Sequence, residues 1–154
     1  VTAIRMERDH VFSYAEEAAR YIREHDLADH VIIAQQGPAM STSLGYLRKD
    51  RFYYTSGERF GSFIVWDQAR LATASDDRVV AAARELADDT LVLRNVAWPE
   101  ESRKRHGIEE LTRFTGATVD EDYYLYRIRT ATDGADAPEQ VDQADQKEET
   151  DSGS

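Results

Sequence analysis

Cysteine is absent from these 154 residues. That excludes disulfides, thiolate metal sites and cysteine nucleophiles together, while leaving the cellular compartment open. Long apolar runs are absent too. The longest stretches, Val31-Ile32-Ile33-Ala34 and Phe63-Ile64-Val65-Trp66, have strand length, far short of the roughly 18 apolar residues that mark a membrane helix. The N-terminus has mixed charge and no apolar h-region, so no signal peptide is expected. Lysine is scarce: Lys49 and Lys104 are the only two before residue 131. A nucleic-acid partner, which calls for clustered Lys and Arg, is therefore not expected.

Negative charge is plentiful, and its placement matters more than its sum. The net charge is −11, and eight of the 30 acids lie beyond residue 130 against one base, Lys147. Residues 1–130 are thus only mildly acidic. Residues 131–154 carry little apolar surface besides Val141 and a few alanines. Ordering them would cost on the order of 25–50 kcal/mol of backbone entropy with almost no burial to offset it. The expectation is one α/β domain over 1–130 and a disordered acidic tail over 131–154.

Within the body, apolar spacing sets the elements. Ser13-Tyr14-Ala15-Glu16 reads as a capping box opening a helix from Tyr14 to His25, with Ala15, Ala18, Ala19 and Ile22 on its inner face. Val31–Ala34 reads as a buried strand, and residues 39–47 as a short helix. Phe52–Thr55 and Ser62–Trp66 read as two strands around the Ser56-Gly57 turn, close enough for a hairpin. Ser75-Asp76-Asp77 opens a helix whose first-turn acids suit its dipole. Thr90–Leu93 comes next as a strand. Pro99 fits the start of another helix, which Ile108, Leu111 and Phe114 extend until Gly116. From Asp122 to Arg129 the period is two, with Tyr124, Tyr126 and Ile128 on one face of a last strand. Strands alternating with helices predict a three-layer α/β sandwich around a mixed sheet of about five strands.

The chemistry-bearing motifs are incomplete. No Gly-x-Ser-x-Gly elbow, P-loop or Gly-x-Gly-x-x-Gly fingerprint is present. His25 and His30, beside Asp26 and Asp29, read as a polar helix end rather than a metal site. Asp120-Glu121-Asp122 reads as a solvated turn. No catalytic residue, metal ligand or cofactor is assigned. The segment from Gln35 to Asp67 differs, mixing aromatics with hydrogen-bonding groups and glycines. Such a mixture suits a sugar-binding or partner surface. It equally suits a core whose Tyr and Trp tips find local partners, and that reading is the favoured one. The candidate ligand-binding residues are Gln36, Tyr46, Tyr54, Arg59, Trp66 and Asp67.

The same segment carries a resemblance. Phe12-Ser13, Ala18-Ala19-Arg20-Tyr21-Ile22, Ser43-Leu44-Gly45-Tyr46-Leu47, Tyr53-Tyr54 and, most specifically, Arg59-Phe60-Gly61-Ser62-Phe63-Ile64-Val65-Trp66-Asp67 form a pattern over Phe12 to Arg129. It resembles the soluble region after the last membrane helix of GT-C type multi-pass glycosyltransferases, the dolichyl-phosphate-mannose–protein mannosyltransferase-like enzymes. The resemblance implies a parent enzyme that transfers sugar from a polyprenyl-phosphate donor. Its catalytic carboxylate would lie in an early loop outside this chain. The chain would then be a non-catalytic, extracytoplasmic accessory domain, an excised C-terminal part that begins with Val rather than Met. Its partners would be the membrane-embedded half of the parent and a glycan or lipid-linked sugar. The competing expectation is a free-standing soluble α/β ligand-binding or protein-interaction module, in which case the chain is cytoplasmic. A third is a small α/β enzyme with an unrecognised site, supported only by the layer pattern.

Overall fold

A computed structural model describes residues 11–35, 37–49, 52–61, 74–118 and 121–130. The elements run α1 (Ala15–Glu24), β1 (Val31–Ala34), α2 (Gly37–Leu47), β2 (Phe52–Tyr54), β3 (Arg59–Gly61), α3 (Asp76–Leu86), β4 (Asp89–Arg94), α4 (Glu100–His106), β5 (Glu109–Phe114) and β6 (Tyr123–Arg129). The strands form one six-stranded mixed sheet in the order β3-β2-β1-β4-β6-β5. Its centre, β2-β1-β4, is parallel, and antiparallel pairs extend it on both sides.

Strand alternation divides the core in two. Ile32 and Ala34 of β1, Leu91 and Leu93 of β4, and Tyr123 and Leu125 of β6 point to one face. There they meet Ala18, Ala19 and Ile22 of α1 and Met40, Leu44 and Leu47 of α2. Ile33, Val92, Tyr126 and Ile128 point to the other face, against Val79, Val80 and Ala83 of α3 and against Trp98. Helices thus cover both faces of the sheet, giving the three layers expected. Tyr124, Tyr126 and Ile128 share the α3 face, as their period of two predicts. Ser75 caps α3, accepting from the Arg78 N–H at 3.4 Å. No helix among the described residues is long and apolar enough to cross a membrane.

Two local expectations are corrected. Tyr14, not Ser13, sits at the N-cap of α1, and it makes no side-chain capping bond. The Ser13 hydroxyl accepts instead from the Ala15 N–H at 3.1 Å. The Tyr14 ring packs near Phe114, with centroids 6.3 Å apart. The helix at Pro99 stops at His106, because Gly107 turns left-handed (φ 66°) and the Ile108 N–H reaches back to the Arg103 carbonyl. Past that turn the chain extends into β5, whose pairing with β6 shifts between Glu110 and Thr112. That bulge lets Leu111 and Phe114 pack against the same cluster. Their spacing of three imitates a helix.

The strand expected over Ser62–Trp66 and the tail expected over 131–154 lie outside the described residues. The hairpin partner of β2 within the described chain is β3, with Tyr54 opposite Arg59.

Candidate binding site

The chain leaves β1 through α2 to reach β2 on one side. It later returns through α3 to β4 on the other side. The two helices lie on opposite faces. The carboxyl ends of β1 and β4 are therefore a topological switch point, the place where open α/β sheets form a ligand crevice.

Three polar residues stand level there. Ile33 pairs with Tyr53 of β2 and with Val92 of β4. Two residues further on, this register brings Gln35 beside Thr55 and Arg94. The Gln35 N–H donates to the Leu93 carbonyl at 3.0 Å, which holds the β1–β4 register past the end of β1. Gln35 and Thr55 each stand one residue past the end of their strands, and with neighbouring strands about 4.8 Å apart the continued register sets Thr55, Gln35 and Arg94 in a row about 10 Å long. The row continues the face occupied by Ile33 and Val92, under the first turn of α3.

Every member is buried, and the members are satisfied differently. Gln35 is 3 % exposed. Its side-chain Nε2 donates to the Ala74 carbonyl at 2.9 Å, while its Oε1 is buried with no hydrogen-bond partner. Thr55, also 3 % exposed, has a buried Oγ1 that is likewise unpartnered. Each such atom costs on the order of 1–3 kcal/mol. The Arg94 side chain is 8 % exposed. It donates to Asp76 Oδ1 at 3.3 Å, and its guanidinium lies 4.4 Å from the centre of the Trp98 ring. Burial pushes the Arg94 pKa down, and the Asp76 charge and hydrogen bond oppose that shift.

Trp98 is fixed on every side. Its indole Nε1 donates to Ser102 Oγ at 3.2 Å, and its backbone N–H donates to the Tyr126 hydroxyl at 2.9 Å. The Tyr126 ring meets it edge-on at 5.5 Å. Nearby, Arg78 on α3 pairs with Glu58 in the β2–β3 turn. The cations named at this edge are thus each matched by a carboxylate.

The candidates read from the sequence fall elsewhere. Tyr54 is buried in the α1–α2 cluster. Arg59 is exposed and opposite Tyr54 on the hairpin. Tyr46 is exposed near the far end of α2, and its carbonyl accepts from Arg23 at 2.6 Å. An eleven-residue helix is about 16 Å long, so Tyr46 sits at the amino edge of the parallel strands, away from Tyr54 and Arg59. Gln36, Trp66 and Asp67 lie outside the described residues. His25 stacks on Tyr21 with ring centroids 3.9 Å apart, and His30 meets Asp89 at 3.4 Å. Among the described residues no group of three or more His, Asp or Glu is placed to hold a metal ion. Asp122 Oδ1 accepts from the Gly116 and Ala117 N–H groups, closing a turn.

Thr55, Arg94 and Trp98 were missed by sequence reasoning. For Thr55 and Arg94 the faint signal is a polar residue placed directly after an apolar strand run. What unites them is the register between strands, which periodicity within one strand does not reveal. Comparison with protein-family models, curated proteins and solved structures finds no match to this chain.

Proposed function

We propose that this chain is a non-catalytic, extramembrane accessory domain of a polyprenyl-phosphate-sugar-dependent membrane glycosyltransferase, which helps to hold the acceptor. The likeness of Arg59–Asp67 and its neighbours to that family supplies the context. The observation that carries the reading is the switch point itself. It is lined by neutral hydrogen-bonding groups and by the compensated Arg94–Asp76 pair, which suits binding.

Among the described residues, the tyrosines whose pKa values move support binding over chemistry, while Arg94, pushed down by burial, is held by its pair with Asp76. Tyr53, Tyr123 and Tyr126 are pushed up from 10.0, in each case chiefly by burial. Acid–base catalysis needs groups tuned toward the working pH, and these tyrosines move away from neutrality. In the parent enzyme the bond-making groups would come from the membrane half.

The test is the complete reading frame and its product. Several hydrophobic segments of about 20 residues are expected upstream of Val1. Deleting residues 11–130 from the full-length enzyme should raise the KM for acceptor more than it lowers kcat. A frame without membrane segments, or a deletion that leaves acceptor KM unchanged, overturns the proposal.

A further inference from the structure

We propose that the row Thr55–Gln35–Arg94 is a binding site for a neutral, hydroxyl-rich ligand of the sugar class. The proposal deepens the acceptor-holding reading above and rests on it.

The chemistry of the row selects the ligand. Gln35 Oε1 can only accept, so it requires a donor. Its amide cannot gain by turning over, because Nε2 is already committed to the Ala74 carbonyl. The Thr55 hydroxyl can give or take a hydrogen bond. Both atoms are buried and unpartnered, and each residue stands one position past the end of its strand, where continuing the Ile33–Tyr53 register sets the two side by side. A ligand hydroxyl both donates and accepts, so one hydroxyl or a neighbouring pair matches the two orphaned atoms. An anion does not. The guanidinium of Arg94 is matched by Asp76 and stacked on Trp98, and Arg78 is matched by Glu58. Phosphate would find no uncompensated cation in the row and would face the acceptor oxygen of Gln35.

Arg94 has a positioning role. Its stack on Trp98 and its bond to Asp76 tie the end of β4 to the start of α3. Ala74, which orients the Gln35 amide, stands two residues before Asp76. Because Gln35 and Thr55 are closed off from solvent, a ligand enters only as the carboxyl edge opens. Association should be slower than for an open groove.

The experiment is NMR titration of the full 154-residue chain, in separate series, with glucose, mannose, galactose and inorganic phosphate. At least one hexose should shift the Gln35 side-chain amide together with the backbone amides of Thr55 and Arg94. Phosphate should not. Thr55→Val and Gln35→Leu should each weaken that response about tenfold, the scale of one lost hydrogen bond. Thr55→Val should also unfold at a higher denaturant concentration than the parent, since it removes an unsatisfied buried hydroxyl. That second readout confirms that the variant is folded and that Thr55 lacks an internal partner.

Three outcomes overturn the site: no hexose response at the row, a stronger response to phosphate, or a long-lived water bridging Thr55 and Gln35 that no hexose displaces. The two proposals fail separately. A hexose response in a chain whose reading frame lacks membrane segments keeps the site and overturns the accessory role. Membrane segments without a hexose response keep the role and overturn the site.

Discussion

Replacing Asp76 with Asn should destabilise the domain by about 2–3 kcal/mol, because it leaves Arg94 charged, buried and without its carboxylate. Arg94 Nη1 and Asp76 Oδ1 are 3.3 Å apart, where the Coulomb attraction at an effective dielectric near 20 is about 5 kcal/mol. Part of that is offset by the desolvation both groups already bear. Removing one partner of a fully buried pair costs about 3–5 kcal/mol. Asp76 keeps a 26 % exposed side chain, so solvent moderates the loss to about 2 kcal/mol. A small further term comes from removing a carboxylate at the start of α3, about 0.3–1 kcal/mol. With a urea slope of about 1–3 kcal/mol per molar, the midpoint should fall by roughly 0.7–3 M. Arg94→Met in the Asp76→Asn background should recover most of the loss, since an apolar side chain of similar length replaces an unpaired charge. A loss below about 0.5 kcal/mol for Asp76→Asn, or no recovery in the double variant, would refute the claim that this ion pair secures the carboxyl edge.

The remaining expectations concern the frame around that edge. Tyr53, Tyr123 and Tyr126 have folded-state pKa values raised above 10.0 by burial. Their contribution is therefore complete below about pH 10 and is lost as the pH rises through their folded-state values. The last part of the tyrosinate absorbance rise should consequently coincide with the loss of circular dichroism at alkaline pH, and ionisation of all eight tyrosines while the fold persists would contradict it. Gly107→Ala should cost about 1 kcal/mol in urea unfolding. The added methyl meets nothing within 4 Å, so the left-handed backbone is the whole cost, and a neutral result would remove Gly107 as the stop of α4. Thr90→Val should cost about 1–2 kcal/mol by the same assay, since the buried Thr90 Oγ1 donates to the Ala83 carbonyl at 2.9 Å. A stabilised variant would show that this bond does not tie α3 to β4.

The frame was legible where one element's own pattern decides its place. Ala15, Ala18, Ala19 and Ile22 mark the inner face of α1 at helical spacing, and each is buried. Tyr124, Tyr126 and Ile128 mark one face of β6 at strand spacing. Legibility failed where two elements jointly set the outcome. Leu111 and Phe114 imitate a helical stripe because Leu111 is the extra residue of a bulge against β6. The left-handed turn at Gly107 was the available signal that the helix had already ended. The row Thr55–Gln35–Arg94 was hidden for the same reason. Arg94 ends β4 while Gln35 and Thr55 directly follow β1 and β2, and only the parallel register makes them neighbours. The aromatic segment drew notice through its texture, yet Tyr54 turns into the core and Tyr46 to the opposite edge.

The two edges of the parallel strands differ in how far their polar side chains are exposed, and the difference points to the carboxyl edge. At the amino edge, Arg127 Nε donates to Asp89 at 2.9 Å, Asp89 meets His30 at 3.4 Å, and the Lys49 ammonium donates to the His30 carbonyl. Those side chains are partly exposed, so water shares most of their hydrogen bonding, although His30 Nδ1 is buried and has no partner. At the carboxyl edge, Gln35 and Thr55 are closed off while retaining unmet hydrogen-bonding capacity. Val would fill the volume of Thr55 and suits a strand end as well. A purely structural role therefore gives no reason for the hydroxyl. Local rules are kept by Ile33, Val92 and Val79 on the same face and broken at the switch point, where a doubly wound sheet receives its ligand. The sign of the Thr55→Val stability change separates the two accounts. A hydroxyl that serves the fold is missed when removed, as at Thr90, whereas one held in readiness for a ligand is not.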